Sequence, residues 1–428
     1  MHPNALLEAC TELVRLTLKF DHPADAVVSK FFRDYRKTYA FGPRERAALA
    51  ETTYNVLRNK LRYDHLAPSG SGPKERRLAI LGFADHLQNT DKKFLFGALN
   101  KQEAAWLEAC AKVQTSELLE RHRHNLPEWL VEPLKAQVGE GFWPLVAQLN
   151  ASAPLDLRVN TFTDKREDVQ KELKAAGIQA TPTPFSPWGL RIQGKPALSQ
   201  LDLFSRGAVE VQDEGSQLLA LLLDAKRGEM VCDFCAGAGG KTLAIGASMR
   251  STGRLYAFDT SAHRLEALKP RLARSKLSNV HPAAITHERD DRVKRLSGKM
   301  DRVLVDAPCS GLGTLRRNPD LKWRQSPQSV AELSVKQAAI LASAARLLKS
   351  GGRLVYATCS LLPEENEAIA QAFSLAHPEF TPLSVSETLQ ALKVTDAAIL
   401  CSADGLYLRL WPHVHASDGF FAAAWSAK

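Results

Sequence analysis

The sequence predicts an α/β protein with a parallel, doubly wound sheet in its second half, preceded by a small α+β module and an N-terminal helical bundle. From about residue 206, apolar runs alternate with helical segments, which is typical of a parallel sheet flanked by helices. Residues 1–125 show helical periodicity, and residues 126–205 mix both patterns. We therefore predict three domains, 1–125, 126–205 and 206–428.

The first two domains are each predicted from short patterns. In the N-terminal bundle, one face of the first helix collects Leu6, Cys10, Leu13 and Thr17. The middle domain opens with the alternating strand pattern "LDLRVNTF". The helical "REDVQKELKAAG", which Gly177 ends, and the turn-rich "TPTPFSPWG" follow it.

Strand and helix patterns alternate through the third domain. The predicted strand "MVCDFCAG" precedes a predicted helix from Thr242, and "GRLYAFD" precedes a helix over 264–275. The strand "DRVLVDAPC" precedes a helix over 327–348, and "GRLVYATCS" precedes a helix over 365–376. In an open sheet of this kind, ligands bind at the carboxyl ends of the strands. The residues that follow these four strands are therefore the candidates for a site.

The composition limits the class of protein and its partners. With 428 residues, 45% of them hydrophobic and 24% charged, the chain can bury a sizeable core in each of several domains. It shows neither a membrane-span pattern nor a signal-peptide pattern, so we expect a cytoplasmic protein with no membrane partner. The net charge of +9 indicates a polyanionic partner, most simply nucleic acid. The seven scattered cysteines do not form a disulfide framework.

A glycine-rich segment, "CAGAGGKT", follows the first strand of the predicted sheet and precedes a helix. Its glycines permit positive φ and close backbone approach, but it is neither a dinucleotide GxGxxG nor a Walker loop. The next strand ends in Asp259, where a carboxylate suits hydrogen bonds to ribose hydroxyls. This combination predicts a nucleoside cofactor without a pyrophosphate, a description that S-adenosylmethionine meets.

A CxxC spacing in the same segment raises a second possibility. Cys232 and Cys235 have the separation used by zinc sites and thiol redox sites. Zinc needs two more ligands, and neither a second CxxC nor a paired histidine cluster follows. Because Cys232 also lies inside an apolar strand, we expect no metal site.

Two further strand ends each carry a cysteine, Cys309 in "DAPCSG" and Cys359 in "ATCSLL". Methylating an oxygen or an amine needs no thiol, whereas C5 of cytosine is a poor nucleophile. A thiolate that adds at C6 makes C5 reactive toward a sulfonium methyl group, which is covalent catalysis. Asp306 can hydrogen-bond the cytosine edge and assist protonation at N3 if burial or a neighbouring charge raises its pKa. A second thiol can then assist the elimination of the first thiol from C6 after the methyl group has been transferred.

These segments resemble the motifs of the NOP/Sun RNA cytosine-5 methyltransferases. The resemblance rests on "DFCAGAGGKT", "YAFDTSAHR", "DRVLVDAPCSGLGTLRRNPDLKW" and "LVYATCSLLPEEN", with "GAVEVQDEGSQ" before them and "DGFFAAAW" after them. It implies a Rossmann-like class I methyltransferase fold for residues 206–428 and an RRM-like module around "LRVNTF". Residues 1–125 are similar to the RNA-binding NusB-like domain of the family's bacterial 16S rRNA member.

The resemblance also implies roles for individual residues. It makes Cys359 the nucleophile and Cys309 the group that assists product release. DNA cytosine methyltransferases use a Pro-Cys nucleophile, so Pro308–Cys309 alone would indicate the opposite. Asp290 matches a position near the adenine, with Asp291 as the alternative. The implied S-adenosylmethionine contacts are Cys235, Ala236, Gly237, Ala238, Gly239, Gly240, Lys241, Asp259, Asp290 and Asp306.

A basic segment, "LRRNPDLKW", follows the Cys309 loop and combines cations with an aromatic ring. Cations suit phosphate and a ring suits base stacking, which is typical of single-stranded RNA contacts. The alternative is a solvated loop with a core tryptophan. The predicted RNA contacts are Arg316, Arg317, Lys322 and Trp323.

The sequence therefore favours RNA cytosine-5 methylation, with 16S rRNA as the expected target and tRNA as the alternative. A non-catalytic RNA-binding or ribosome assembly factor is the rival from another class, but such a factor has no need for two thiols beside Asp306. DNA methylation is disfavoured by the motifs. No obligate protein partner is evident.

Overall fold

The computed structural model describes residues 1–38, 41–87 and 93–428. The chain divides into two compact units: unit 1 consists of Met1–Ser152 and Thr314–Ser326, and unit 2 of Ala153–Gly313 and Pro327–Lys428. No helix in the described ranges is long and apolar enough to cross a membrane.

These two units do not follow the three predicted domains, because unit 2 joins residues 153–205 to the predicted third domain. Unit 1 differs from the predicted N-terminal domain in two further places. Helical structure continues to Leu149 and the first strand begins at Leu155, so the helical unit extends beyond residue 125. Thr314–Ser326, which the sequence pattern placed inside the third domain, belongs to unit 1.

Unit 1 is built from helices packed around a shared apolar core. Its first helix begins at Pro3, where the missing N–H needs no partner. Leu6, Cys10 and Leu13 are buried on that helix, as the periodicity predicts. The α-helices of unit 1 span Pro3–Thr17, Ala24–Asp34, Pro43–Arg58, Lys60–Leu66, Lys74–His86, Lys93–Phe96, Lys101–Lys112, Glu120–His124, Glu128–Val138, Phe142–Leu149 and Leu321–Arg324.

Unit 2 begins with a small antiparallel sheet in the order β2-β3-β1-β4. The helix Arg166–Ala175 buries Val169 and Leu173 in the same core as Leu157 and Leu190. The strand and the helix predicted in this region are both present. The strands are β1 (Leu155–Val159), β2 (Ala180–Pro182), β3 (Gly189–Ile192) and β4 (Val209–Val211).

The rest of unit 2 forms a larger sheet in the order β10-β12-β9-β8-β5-β6-β7, with β11 paired to β12. The five strands from β9 to β7 pair in parallel, and β10, β11 and β12 pair antiparallel. The strands are β5 (Met230–Asp233), β6 (Arg254–Asp259), β7 (Val280–Ala284), β8 (Met300–Asp306), β9 (Leu348–Thr358), β10 (Phe380–Leu383), β11 (Tyr407–Leu410) and β12 (Phe420–Ala427).

Helices cover both faces of the larger sheet because successive strand residues point to opposite sides. Leu304 and Val355 lie in one core, whereas Val303 and Val305 lie in the other. The predicted α/β fold class is confirmed, although the antiparallel edge was not predicted. The α-helices of unit 2 are Arg166–Ala175, Asp202–Ser205, Glu214–Leu222, Gly240–Ser248, Ala262–Ser275, Asp291–Lys294, Pro327–Ala345, Glu367–Ala376, Val385–Ala391 and Pro412–His415.

Candidate active site

Polar residues gather at the carboxyl edge of the larger sheet. Asp233 ends β5, Asp259 ends β6, Asp306 ends β8, and Cys359 follows the end of β9 at Thr358. These four strands are neighbours in the order β6-β5-β8-β9. From β5 the strand order continues to β6 and β7 on one side and to β8 and β9 on the other. The carboxyl edge at β5 is therefore the topological switch point, where open α/β sheets bind ligands.

The glycine loop after β5 has the backbone that its sequence predicts. Gly237 and Gly239 have φ values of 55° and 82°. A Cβ on Gly239 would lie 2.2 Å from a methyl carbon of Leu268, so this position excludes side chains on steric grounds as well. A Cβ on Gly237 would meet nothing within 4 Å. The loop thus leaves open space on one side before the helix Gly240–Ser248 begins.

Asp259 connects the glycine loop to the end of β6. One carboxylate oxygen accepts a hydrogen bond from the Gly237 amide at 2.8 Å, and the other accepts one from the Ser261 amide at 2.7 Å. A carboxylate offers about four acceptor sites, so two remain for ribose hydroxyls. The geometry fits the predicted role of Asp259.

Lys241 in the first turn of the helix reaches across to Asp306. Its Nζ donates to Asp306 Oδ2 at 2.7 Å, which joins the glycine loop to the end of β8. Burial lowers the pKa of Lys241, but the Asp306 charge and hydrogen bond, together with Cys359, outweigh burial and raise it. Lys241 is therefore a fixed positive charge beside the candidate site.

Asp233 lies beneath these groups and was not predicted as a site residue. It is 1% exposed, and burial raises its pKa to about 7 despite the hydrogen bond that Thr242 Oγ1 donates to its Oδ2 at 2.7 Å. Its Oδ1 is buried without a hydrogen-bond partner among the described residues. Buried acceptors without a partner are uncommon, and this one lies at the strand end that leads into the glycine loop, the segment predicted to hold a nucleoside cofactor.

Asp290 lies after β7 and caps a short helix. Its carboxylate accepts hydrogen bonds from the Thr286 amide and hydroxyl at 2.9 and 3.0 Å and from the Arg292 amide at 2.9 Å. These backbone bonds, first that from Thr286, lower the pKa of Asp290 to about 2. Asp291 is exposed and pairs with Lys294. Local capping explains Asp290 in this structure, and its contact with adenine stays a prediction.

The two thiols predicted from the strand ends come together. Cys309 Sγ and Cys359 Sγ lie 3.4 Å apart, and both residues are partly exposed. The hydrogen bond with Cys359, burial and nearby negative charge, including that of Glu365, raise the pKa of Cys309 well above its ordinary value. Cys309 is therefore held as a neutral thiol next to Cys359.

Glu365, a buried residue next to the two thiol-bearing segments, was not predicted from the sequence as a site residue. Glu365 is fully buried, and its carboxylate accepts hydrogen bonds from Ser310 and Ser360, the residues that follow the two cysteines. The signal was present in the sequence, since a serine follows each cysteine and "PEEN" follows the second. The sequence alone did not reveal that one carboxylate reaches both serines.

The other cysteines of the glycine segment lie in apolar surroundings. Cys232 is fully buried in β5, and burial raises its pKa well above the ordinary value. Cys235 packs against the core on the same side of the sheet, and burial also raises its pKa. Among the described ranges, no group of three or more His, Cys, Asp or Glu side chains could hold a metal ion.

The predicted RNA contacts are located in unit 1, and a surface role for two of them needs correction. Arg316 and Lys322 are 2% and 1% exposed. Lys322 Nζ donates to the Arg58 carbonyl at 2.9 Å and to Asn150 Oδ1 at 2.8 Å, and burial lowers its pKa well below the ordinary value. Phosphate cannot reach an ammonium enclosed in this way.

The other two predicted contacts are partly exposed. Trp323 donates from Nε1 to the Leu57 carbonyl at 2.7 Å. Its ring lies 5.0 Å from the Lys322 ammonium and 5.4 Å from that of Lys60. The tryptophan thus packs inside unit 1, which agrees with the alternative of a core tryptophan, whereas Arg317 stays a prediction.

Comparisons with known proteins show which proteins the chain is similar to. The model of the 16S rRNA methyltransferase RsmB/F family matches residues 220–426, and a ferredoxin-like domain model of the same family matches 126–199. The crystal structure of PH0851 is 25% identical with a TM-score of 0.78, covering 100% of this chain and 99% of that one. A methyltransferase homologue from Pyrococcus horikoshii is 27% identical with a TM-score of 0.61, covering 74% of this chain and all of that one.

A curated relative extends the match to nearly the whole chain. The probable ribosomal RNA small subunit methyltransferase B of Synechocystis is 33% identical, over 90% of this chain and 92% of its own length. By this match and that of the family model, the chain belongs to the RsmB/F methyltransferase family.

Proposed function

We propose that the chain is an S-adenosylmethionine-dependent RNA cytosine-5 methyltransferase that acts on small-subunit ribosomal RNA. The observation that carries the proposal is the pair of thiols, Cys309 and Cys359, 3.4 Å apart beside the Lys241–Asp306 ion pair. Transfer to an oxygen or an amine would need neither thiol. The ribosomal substrate is supported by the name of the Synechocystis relative and by the net charge of +9.

The cofactor would be held by the glycine loop from Cys235 to Lys241, with Asp259 at the ribose and the Asp290 segment toward the adenine. When bound, S-adenosylmethionine supplies a methyl group on a sulfonium centre. Burial first, and then the nearby Asp233 and Asp306, raise the pKa of Cys235 at the start of this loop. The open side of Gly237 leaves room for the cofactor without displacing a side chain.

Cys359 acts on the cytosine as the nucleophile. Its thiolate forms a bond to C6 and the electron pair of the C5–C6 double bond moves to C5, which is then able to accept a methyl group. Asp306 lies at the adjacent strand end and hydrogen-bonds the edge of the base that carries N3. Because attack at C6 requires access to the face of the ring, the target base must leave its stack.

Cys309 serves the second half of the reaction. Once C5 carries the methyl group, a base such as solvent water takes the C5 proton and the electron pair of that C–H bond restores the C5–C6 double bond. The Cys359 sulfur then leaves C6 as a thiolate with the electrons of the C–S bond. The raised pKa of Cys309 keeps it protonated, which disfavours it as the attacking thiolate and leaves its S–H able to donate a hydrogen bond to the departing Cys359 sulfur. The two neighbouring thiols thus have different roles.

Single substitutions of the two cysteines test the assignment. Cys359→Ala should be inactive and leave no covalent protein–RNA complex on denaturing electrophoresis. Cys309→Ala should still attack the base and should accumulate such a complex. An adduct in the Cys359 variant would reverse the roles, and full activity in both variants would exclude covalent catalysis by either thiol.

A substrate panel tests the target. Labelled S-adenosylmethionine should transfer its methyl group to small-subunit rRNA, and nucleoside analysis should detect 5-methylcytidine. Preferred labelling of tRNA or of DNA would replace the proposed substrate. Absence of labelling in all arms, with intact RNA binding, would favour a non-catalytic assembly factor.

A further inference from the structure

One buried carboxylate holds the two segments that carry the thiols. Glu365 Oε1 accepts hydrogen bonds from the Ser310 amide at 2.8 Å and from Gln337 Nε2 at 2.9 Å. Glu365 Oε2 accepts from the hydroxyls of Ser310 and Ser360. Both carboxylate oxygens therefore receive two donors each, and the side chain contacts the residue that follows each cysteine.

The carboxylate has no cationic partner among the described residues. Glu365 is fully buried, and a buried charge without hydrogen bonds would be strongly unfavourable. Its four donors are the Ser310 amide, the Gln337 side-chain amide and two serine hydroxyls, which satisfy both carboxyl oxygens. One buried side chain is thus hydrogen-bonded to both segments at once.

Neighbouring side chains fix the position of Glu365 itself. Tyr356 donates its hydroxyl hydrogen bond to the Glu365 carbonyl at 2.6 Å and also lies 3.2 Å from Gln337 Oε1. Gln337 Nε2 lies 3.0 Å from the Pro308 carbonyl, immediately before Cys309. The position of Glu365 is therefore determined by β9 and by the helix Pro327–Ala345.

We propose that Glu365 is a positioning residue that sets the separation of Cys309 and Cys359, so that Cys309 reaches the sulfur of the Cys359 adduct. It does not touch the reacting atoms and acts through the backbone and hydroxyl of the serine beside each cysteine. This inference rests on the roles of the two thiols proposed above. The further requirement is that a buried residue on the side away from the substrate keeps the two thiols at a fixed distance.

A measurement without RNA tests the geometry alone. Diamide takes two protons and two electrons from a pair of thiols, so that an S–S bond forms and the azo compound becomes a hydrazine derivative. In the full-length protein, the Cys309–Cys359 disulfide should form about tenfold or more slowly in Glu365→Ala than in the wild type, because the effective concentration of one thiol at the other falls. Glu364→Gln, exposed and one residue away, is the matched control and should match the wild type.

A second measurement uses RNA and distinguishes positioning from general loss of structure. Glu365→Ala, with both cysteines present, should accumulate the covalent protein–RNA complex that we expect of Cys309→Ala, and kcat should fall more than KM rises. A variant that is merely less folded would lose activity and adduct together. Glu365→Gln should restore release in part, because an amide keeps one acceptor oxygen and can donate to the two serine hydroxyls.

The outcomes separate this inference from the proposed function. An unchanged rate of disulfide formation in Glu365→Ala would overturn the positioning role whatever the activity. If the wild type methylates no cytosine, the proposed function fails while the disulfide rates still decide the geometry. If urea denaturation shows that Glu365→Ala lacks a cooperative unfolding transition, Ser360→Ala is the variant to use instead. It removes one of the four donors and should slow disulfide formation by a smaller factor. A wild-type rate in Ser360→Ala would equally overturn the proposal.

Discussion

Residues 306–313 and 314–326 are consecutive in one sequence motif, yet the first range belongs to unit 2 and the second to unit 1. The first range brings Asp306 and Cys309 to the edge of the larger sheet, where both remain partly exposed. The second buries Lys322 and packs Trp323 against Leu57. A basic residue that follows a reactive loop in the sequence is therefore not necessarily a substrate contact. It can contact the substrate only if its side chain is exposed.

The same comparison applies to two buried ionisable side chains. Glu365 and Lys322 are 0% and 1% exposed, and each has only neutral hydrogen-bond partners among the described residues. The partners of Glu365 adjoin the two thiols, whereas those of Lys322 are a carbonyl and an amide of the helical unit. We expect substitution of Glu365 to alter the chemistry and substitution of Lys322 to alter the stability of unit 1.

The largest expected effect is that of Lys322→Ala. The lost packing of the side chain and two unpaired acceptors should lower the free energy of unfolding of unit 1 by about 2–4 kcal/mol, measured by urea denaturation. The salt dependence of RNA binding should not change, whereas loss of one phosphate contact on single-stranded RNA would reduce the slope by about 0.7. Lys112→Ala, at an exposed position in unit 1, is the control. A reduced slope with unchanged stability would restore Lys322 as an RNA contact.

In unit 2, substitution of a buried residue at the carboxyl edge of the larger sheet should affect a ligand instead. If Asp259 binds the ribose hydroxyls, Asp259→Ala should weaken S-adenosylmethionine binding by about 1.5–3 kcal/mol, as for hydrogen bonds to a charged group. Calorimetry measures this change directly, and Glu266→Ala, exposed on the following helix, serves as the control. Unaltered affinity would remove Asp259 from the cofactor site.

The pH dependence of stability sharpens the comparison further. Burial lowers the pKa of Lys322 in the folded state well below that in the unfolded chain, about 10.4. Between the two values the unfolded state binds more protons, so this group makes the free energy of unfolding rise with pH, by at most about 1.4 kcal/mol per unit.

Lys322→Met retains most of the side-chain volume and removes the titrating group. The stability of the wild type relative to Lys322→Met should therefore increase from pH 7 to pH 9.5, as measured by urea denaturation at each pH. Taking the difference cancels titrations that both proteins share. A difference independent of pH would mean that the Lys322 ammonium is solvated in solution.

The sequence predicts the parts of the fold that depend on local pattern. The four strands leading to Asp233, Asp259, Asp306 and Cys359 follow from apolar runs that end in polar residues. The antiparallel strand β12 was missed because "FFAAAWSA" is buried on nearly all of its residues and shows no alternation. Local periodicity contains no information on which neighbour such a strand pairs with.

In the candidate site, too, only the residues that depend on local pattern could be predicted. The Cys309 and Cys359 positions could be predicted because each depends on its own strand end. Glu365 and the burial of Lys322 could not, since both depend on residues brought together from distant parts of the sequence, such as Ser310 with Glu365 and Arg58 with Lys322. A charged residue looks the same in a sequence whether tertiary packing exposes or buries it.

The smallest expected effect concerns support of the glycine loop within unit 2. Arg271 Nη1 donates to the Ala238 carbonyl at 2.5 Å, and its Nε donates to Glu210 Oε2, in β4 of the small sheet, at 3.0 Å. Arg271→Ala should therefore raise the KM for S-adenosylmethionine by a factor corresponding to about 0.5–1.5 kcal/mol, the usual contribution of one hydrogen bond.

Glu210→Gln should give a smaller rise in the same direction, because it weakens the ion pair that orients Arg271 but leaves the Ala238 contact in place. Steady-state kinetics at saturating RNA would measure both effects, with Arg264→Ala, exposed on the same helix, as the control. If Arg271→Ala leaves the KM unchanged, the small sheet does not support the cofactor loop. If Glu210→Gln alone raises it, the small sheet acts on the loop by a route other than Arg271.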